Sequence, residues 1–225
     1  MLAVVVSDRP MAAPTTSIIN GWRVSVTRHD LASWPGDATR ALSMDECARF
    51  DAMTAPGAAD LRRAAHVLKR EAVGARLGLP PAVVAFARDT RRPTLLAPHA
   101  DTHVSLSHTR GGVAVVTAGA PVGIDIEPID HRGDPTRLAA RYFAGDEARV
   151  IAAAPSDERG FAFVWRWVAK EALLKCRGLT LGAALGTPLG DGPCRVGELP
   201  FSFEARDARI TVFAPAPAFV CAVAG

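Results

Sequence analysis

The sequence predicts an α+β fold, and three observations predict it. Alternating apolar and polar residues mark several short strands, while longer stretches carry the 3.6-residue period of amphipathic helices. The strands come in hairpin-like groups rather than in strict strand–helix–strand alternation, which argues against a doubly wound parallel sheet. The length of 225 residues, 49% of them hydrophobic and 22% charged, suits one large domain or two small lobes around a sizeable core.

Taken in order, residues 1–19 carry Pro10, Pro14 and a Thr/Ser cluster and read as a loose leader. WRVSVT, residues 22–27, alternates like a strand. Ser43 before Asp45 and Glu46 gives a cap and an acidic first turn to a helix around 44–53. Residues 54–60, with Pro56 and Gly57, read as a loop. An amphipathic helix follows over 61–77 and closes at Gly78 and Pro80. A short strand is expected at 83–87, then a basic turn, RDTRRPTL. Strands at 104–106 and 113–117 flank SHTRGG, and APVGIDIEPID supplies another strand. Helices are expected around 135–142, 145–153 and 157–175, the last ended by Gly178. Strands return at 201–204, 210–213 and 219–223, with Pro-rich 214–217 as a hairpin connection. No short-period repeat or low-complexity tract is present.

Composition narrows the function classes. The net charge of +3 does not mark a nucleic-acid binder, yet it suits an anionic ligand or an acidic partner. Four scattered cysteines form no CxxC pair, so neither zinc spacing nor a redox motif is present. The apolar run in MLAVVVSDRP has no basic residue before it and reads as an ordinary N-terminus. No apolar stretch approaches the ~20 residues of a spanning helix. The expected setting is the cytoplasm, away from membranes. Of 26 basic residues only Lys69, Lys170 and Lys175 are lysines. Arginine keeps its proton and lysine can release one, so a lysine retained in an Arg-rich chain either serves proton chemistry or stands there by chance.

Four groups of residues carry candidate chemistry. Asp125 and Glu127 alternate with Ile124 and Ile126, so on a strand the isoleucines point to the core and both carboxylates point outward together. Such a pair is either a solvated acidic strand end or part of an oxygen site for Mg²⁺. In FVWRWVAKEALLK, residues 163–175, Glu171 and Lys175 lie one turn apart with Lys170 nearby. This is either a surface ion pair or, because the segment is apolar on nearly every side, a buried functional group. Glu171 could complete a metal shell or act as a base, and Lys175 could neutralise a phosphate or protonate a leaving group. Ser107 and His108 precede two glycines in a turn that could hold a phosphate, or could merely be exposed. Arg49, Arg62, Arg63, Lys69, Arg70, Arg91 and Arg92 form a basic set, most of it a solvated face, with a subset able to fork onto a phosphate.

In order, RRPTL, SLSHT, VGIDIE, RYFAGDE and WVAKEALLKCRGL resemble the Sfp-type 4′-phosphopantetheinyl transferases over roughly residues 20–225. VGIDIE and WVAKEALLK, about 40 residues apart, are specific together. The resemblance implies a pseudo-twofold monomer of two similar α+β lobes, residues 20–115 and 116–225, with coenzyme A in the cleft between them. It implies Mg²⁺ held by Asp125, Glu127 and Glu171, with Glu171 also drawing the proton from the incoming serine. Lys175 matches the lysine that contacts the pyrophosphate and assists departure of 3′,5′-ADP. Ser107 and His108 match residues that contact the nucleotide, and Arg49, Arg63 and Arg92 match basic contacts to it. The GKP motif has become RRP, and residues 54–70 match poorly, which leaves Arg62, Arg63 and Lys69 open as phosphate contacts. The implied partners are coenzyme A and an apo acyl or peptidyl carrier protein from fatty-acid, polyketide or nonribosomal peptide assembly. The other readings of the same residues are a metal-dependent nucleotide phosphohydrolase and a non-catalytic module that binds a carrier or coenzyme A.

Overall fold

The computed structural model describes residues 14–27, 37–87, 92–130, 133–193 and 195–225. It is a mixed α+β structure of two compact units, divided between Val122 and Gly123. The division falls after 115/116, because a cut there would break a strand that pairs on both sides within one sheet.

In the first unit, β1 (Thr15–Ile19), β2 (Trp22–Thr27), β3 (His103–Thr109) and β4 (Gly112–Ala118) form an antiparallel sheet in the order β1-β2-β4-β3. β1 corrects the expected loose leader. Residues Asn20 and Gly21 both take positive φ, which is the two-residue turn that folds a strand back on its neighbour. Residues 1–13 lie outside the described residues.

Two helices connect the hairpins. α1 (Met44–Asp51) starts in a capping box: Ser43 accepts from the Glu46 amide, and Glu46 accepts from the Ser43 amide. α2 (Pro56–Leu77) begins earlier than the expected helix, because proline suits the first helical turn, where its missing N–H costs nothing. The loop expected over 54–60 is therefore mostly helix. α2 packs on the sheet, burying Ala64, Ala65, Val67, Leu68 and Val73 with Val113 and Val115. The strand expected at 83–87 reduces to a 3-10 turn at Pro81–Val83 and a single bridge between Phe86 and Leu95.

The second unit holds β5 (Gly123–Pro128), β6 (Phe201–Ala205), β7 (Ala208–Ala216) and β8 (Phe219–Ala224), antiparallel in the order β5-β8-β7-β6. α3 (Pro135–Tyr142), α4 (Gly145–Ala153), α5 (Arg159–Arg177) and a short α6 (Leu181–Leu185) lie between β5 and β6. α5 is apolar all round, as read from the sequence, and packs on β5, β7 and β8. β7 continues through the Pro-rich stretch to Ala216, with an irregularity between Phe213 and Ala216 that accommodates Pro215.

One contact sets the depth of α5. A methyl group added at Gly123 would lie 2.0 Å from the Ala172 carbonyl oxygen and 2.5 Å from the Cys176 nitrogen. Only a residue without a side chain permits the helix backbone so close to the strand.

Candidate functional site

The face of β5 that carries Gly123 and Asp125 lies against α5, so Asp125 is buried at 5% exposure rather than pointing to solvent. Ile124 and Ile126, on the other face, are buried as well, so the expectation of an outward carboxylate face is corrected by the helix that covers it. Lys175, near the end of α5, donates to Asp125 Oδ1 at 2.7 Å and to the Ile124 carbonyl at 2.9 Å. One turn earlier, Glu171 is half-buried; burial and then the Asp125 charge push its carboxyl above the usual range, with Lys175 opposing. Strand and helix thus bring Asp125, Glu171 and Lys175 together. Glu127 follows at the end of β5, half-buried.

The donor chemistry of Asp125, Glu127 and Glu171 suits a hard cation, and the repulsion felt by Glu171 is what a divalent ion would relieve. In the structure the Lys175 ammonium fills that role at Asp125. Among the described residues no three His, Cys, Asp or Glu side chains are gathered in a form ready for a metal.

Lys170 belongs elsewhere. It is fully buried and donates to Glu147 Oε2 at 2.6 Å and to the carbonyls of Leu185 and Thr187 at 2.7 and 2.6 Å. This corrects its grouping with Glu171 and Lys175: a 100° step along α5 turns it toward α4 and the 185–189 segment.

The first unit holds a pocket of about 820 Å³, within the usual range for small-molecule sites. Arg49, His66, Lys69, Arg70, Phe86 and Arg92 line it, with Asp45 and Glu46 as its acidic groups. Arg49 and Arg92, two of the basic residues singled out in the sequence, both line it. Arg63 instead pairs with Asp51 at 2.7 Å and Asp60 at 3.2 Å and does not line the pocket, whereas Lys69 does. Ser107 and His108 lie within β3 rather than in the turn, since the strand runs on to Thr109; Ser107 is buried and His108 exposed. Arg91 lies outside the described residues.

The sequence places Glu46 only in the acidic first turn of a helix. It is 5% exposed and binds three cationic or imidazole groups of α2: His66 Nδ1 at 2.7 Å, Lys69 Nζ at 3.3 Å and Arg70 Nε. The available signal was Lys69-Arg70 inside the core-facing run of α2, since buried cations require a buried anion. Burial alone would raise the Glu46 carboxyl, but His66, Lys69, the Ser43 amide and Arg70 outweigh it and hold it far below the usual carboxylate range. A depressed carboxyl contributes stability above its ordinary pKa that is lost as pH falls below it. Glu46→Gln should therefore flatten the acid limb: between about pH 5 and 3, its melting temperature should fall less than that of the unaltered protein. Parallel melting curves would assign the limb to other carboxyls.

Residues 121–200, which include β5 and α5, match the family profile of the 4′-phosphopantetheinyl transferase superfamily. The matched stretch spans about a third of the chain. A 4′-phosphopantetheinyl transferase from Nostoc sp. (strain PCC 7120), HetI, is 29% identical over 161 residues, covering 70% of this chain and 67% of that protein. A second, psf-1 of Bacillus pumilus, is 29% identical over 125 residues, covering 54% of this chain and 52% of that protein. The chain is thus an enzyme of the phosphopantetheinyl transferase class, and the Asp125–Glu171–Lys175 group falls inside the matched stretch. No helix among the described residues of this transferase is long and apolar enough to cross a membrane.

Proposed function

We propose that the protein transfers 4′-phosphopantetheine from coenzyme A to a serine of an apo acyl or peptidyl carrier protein, releasing 3′,5′-ADP, in a Mg²⁺-dependent reaction. The observation that carries this is the meeting of Asp125, Glu171 and Lys175 on β5 and α5. Asp125, Glu127 and Glu171 would hold the metal, which when bound would neutralise charge on the pyrophosphate.

The serine oxygen forms a bond to the phosphorus next to pantetheine, and the bond from that phosphorus to the 3′,5′-ADP oxygen breaks. Glu171, a carboxylate beside the proposed metal position, suits removal of the serine proton. The Lys175 ammonium suits the charge that develops on the departing oxygen. The basic pocket of the first unit, with Arg49, Lys69, Arg70 and Arg92, suits the nucleotide phosphates. We read the two units as similar lobes, since each holds a four-stranded antiparallel sheet packed against a long helix. The working molecule is read as a cytoplasmic monomer.

Incubation with coenzyme A, Mg²⁺ and an apo-carrier, followed by intact-mass measurement, tests the reaction. A carrier that gains one phosphopantetheine supports it. Release of phosphate with an unaltered carrier would replace it with nucleotide hydrolysis, and binding without turnover would leave only a binding module.

A further inference from the structure

The pocket of the first unit presents its cations in an unusual way. Lys69 and Arg70 are each 4% exposed, and both are anchored to Glu46 on the neighbouring helix. Arg70 is further fixed by the carbonyls of Pro81 at 3.0 Å and Val84 at 2.9 Å. The Lys69 ammonium lies 4.2 Å from the centre of the Phe86 ring, which leaves it few other orientations. His66 is held edge-on to Phe50 with ring centres 5.0 Å apart while it donates to Glu46. A long, flexible lysine is thereby fixed before any ligand arrives, so little side-chain entropy remains to be lost on binding.

We propose that Glu46 is the positioning residue of this pocket, its buried carboxylate setting Lys69, Arg70 and His66 as one preorganised wall for a phosphate-bearing nucleotide. The inference rests on the reading of the pocket as a nucleotide site and goes beyond it by assigning the pocket's organisation to an acidic group that touches no phosphate.

The same geometry gives the pocket a pH response. Lys69 faces Glu46 and Arg49 from α1, His66 and Arg70 from α2, and the Phe86 ring; Asp45 and Arg92 complete the charged lining. Burial lowers the Lys69 ammonium to about 8, and the charge and hydrogen bond of Glu46 keep it from falling further. Burial also pushes the His66 imidazole below its ordinary value, with Glu46 only partly offsetting this, so it is neutral above pH 7. Arginines keep their charge, and a phosphate with its second pKa at about 6 is almost fully ionised above pH 7. Between about pH 7 and 9.5, Lys69 is therefore the lining group whose charge changes.

The test is calorimetric binding of adenosine 3′,5′-bisphosphate to the full chain across that pH range. The unaltered protein should lose affinity as pH rises through about 8. Glu46→Gln keeps the capping-box geometry but not the charge. It should weaken binding at pH 7 about tenfold or more and shift the alkaline loss to lower pH. Lys69→Arg should remove the alkaline loss. Glu46→Asp, which withdraws the charge by one methylene, serves if Glu46→Gln melts below the assay temperature; it should weaken binding and move the loss in the same direction. In carrier loading, Glu46 variants should raise KM for coenzyme A and leave kcat at saturation near its original value. Unchanged affinity and pH profile in the Glu46 variants overturn the positioning role while the nucleotide reading stands. A flat profile in the unaltered protein overturns the Lys69 assignment. No binding at any pH overturns the nucleotide reading and this inference with it.

Discussion

Replacing Asp125 with alanine should lower carrier loading by about 10²–10³-fold while the protein remains folded. Asp125 is where β5 meets the Lys175 ammonium, and its charge raises the neighbouring Glu171 carboxyl. Its removal takes away one proposed metal donor and the Lys175 partner together. The structural loss should be smaller, about 1–3 kcal/mol. Lys175 keeps the Ile124 carbonyl, and its side chain is 23% exposed, so water can take up the orphaned donor. Loading rates, extracted as kcat and both KM values, together with a thermal melt, check this. A variant that loads carrier at nearly the original rate would remove the β5–α5 group from the reaction.

Lys170→Met should have the opposite signature: a large loss of stability with chemistry preserved. Lys170 is fully buried, and its three acceptors tie α5 to α4 and to the 185–189 segment. Glu147 also accepts from the Leu189 amide at 3.0 Å. Methionine leaves the Glu147 carboxylate and two carbonyls short of a donor in the core, at a cost of about 3–5 kcal/mol. For a chain of this size that corresponds to roughly 6–20 °C in Tm. Glu147→Leu combined with Lys170→Met should recover part of the loss, because it removes the stranded charge as well. Below its melting point, Lys170→Met should load carrier normally. Slowed loading in a variant of unchanged Tm would return Lys170 to the chemistry.

The two lysines of α5 show how far the sequence could be read. The meeting of Asp125 with Glu171 and Lys175 is legible from the two motifs that carry them. The buried character of α5 was legible from its apolar residues. The separate task of Lys170 was not, because its partner Glu147 lies on another helix, where it looks like an ordinary acidic first-turn residue. Glu46 was hidden for the same reason: its local role as a cap is real, and its second role depends on α2 lying beside it. β1 is masked in the sequence by the nearby prolines and threonines, although Asn20-Gly21 carries the hairpin signal. The start of α2 is not legible, because Pro56 beside Gly57 reads as a loop, whereas proline in the first helical turn opens a helix.

At position 123 the reach between strand and helix is governed by a missing carbon atom. The backbones approach so closely there that a side chain at this position would push the helix outward. Anyone wishing to retune the acid and amine groups of this unit must change side-chain length at 125, 171 or 175. Bringing the helix nearer is closed as a route, and a site so built varies its chemistry by exchanging what is attached to the frame.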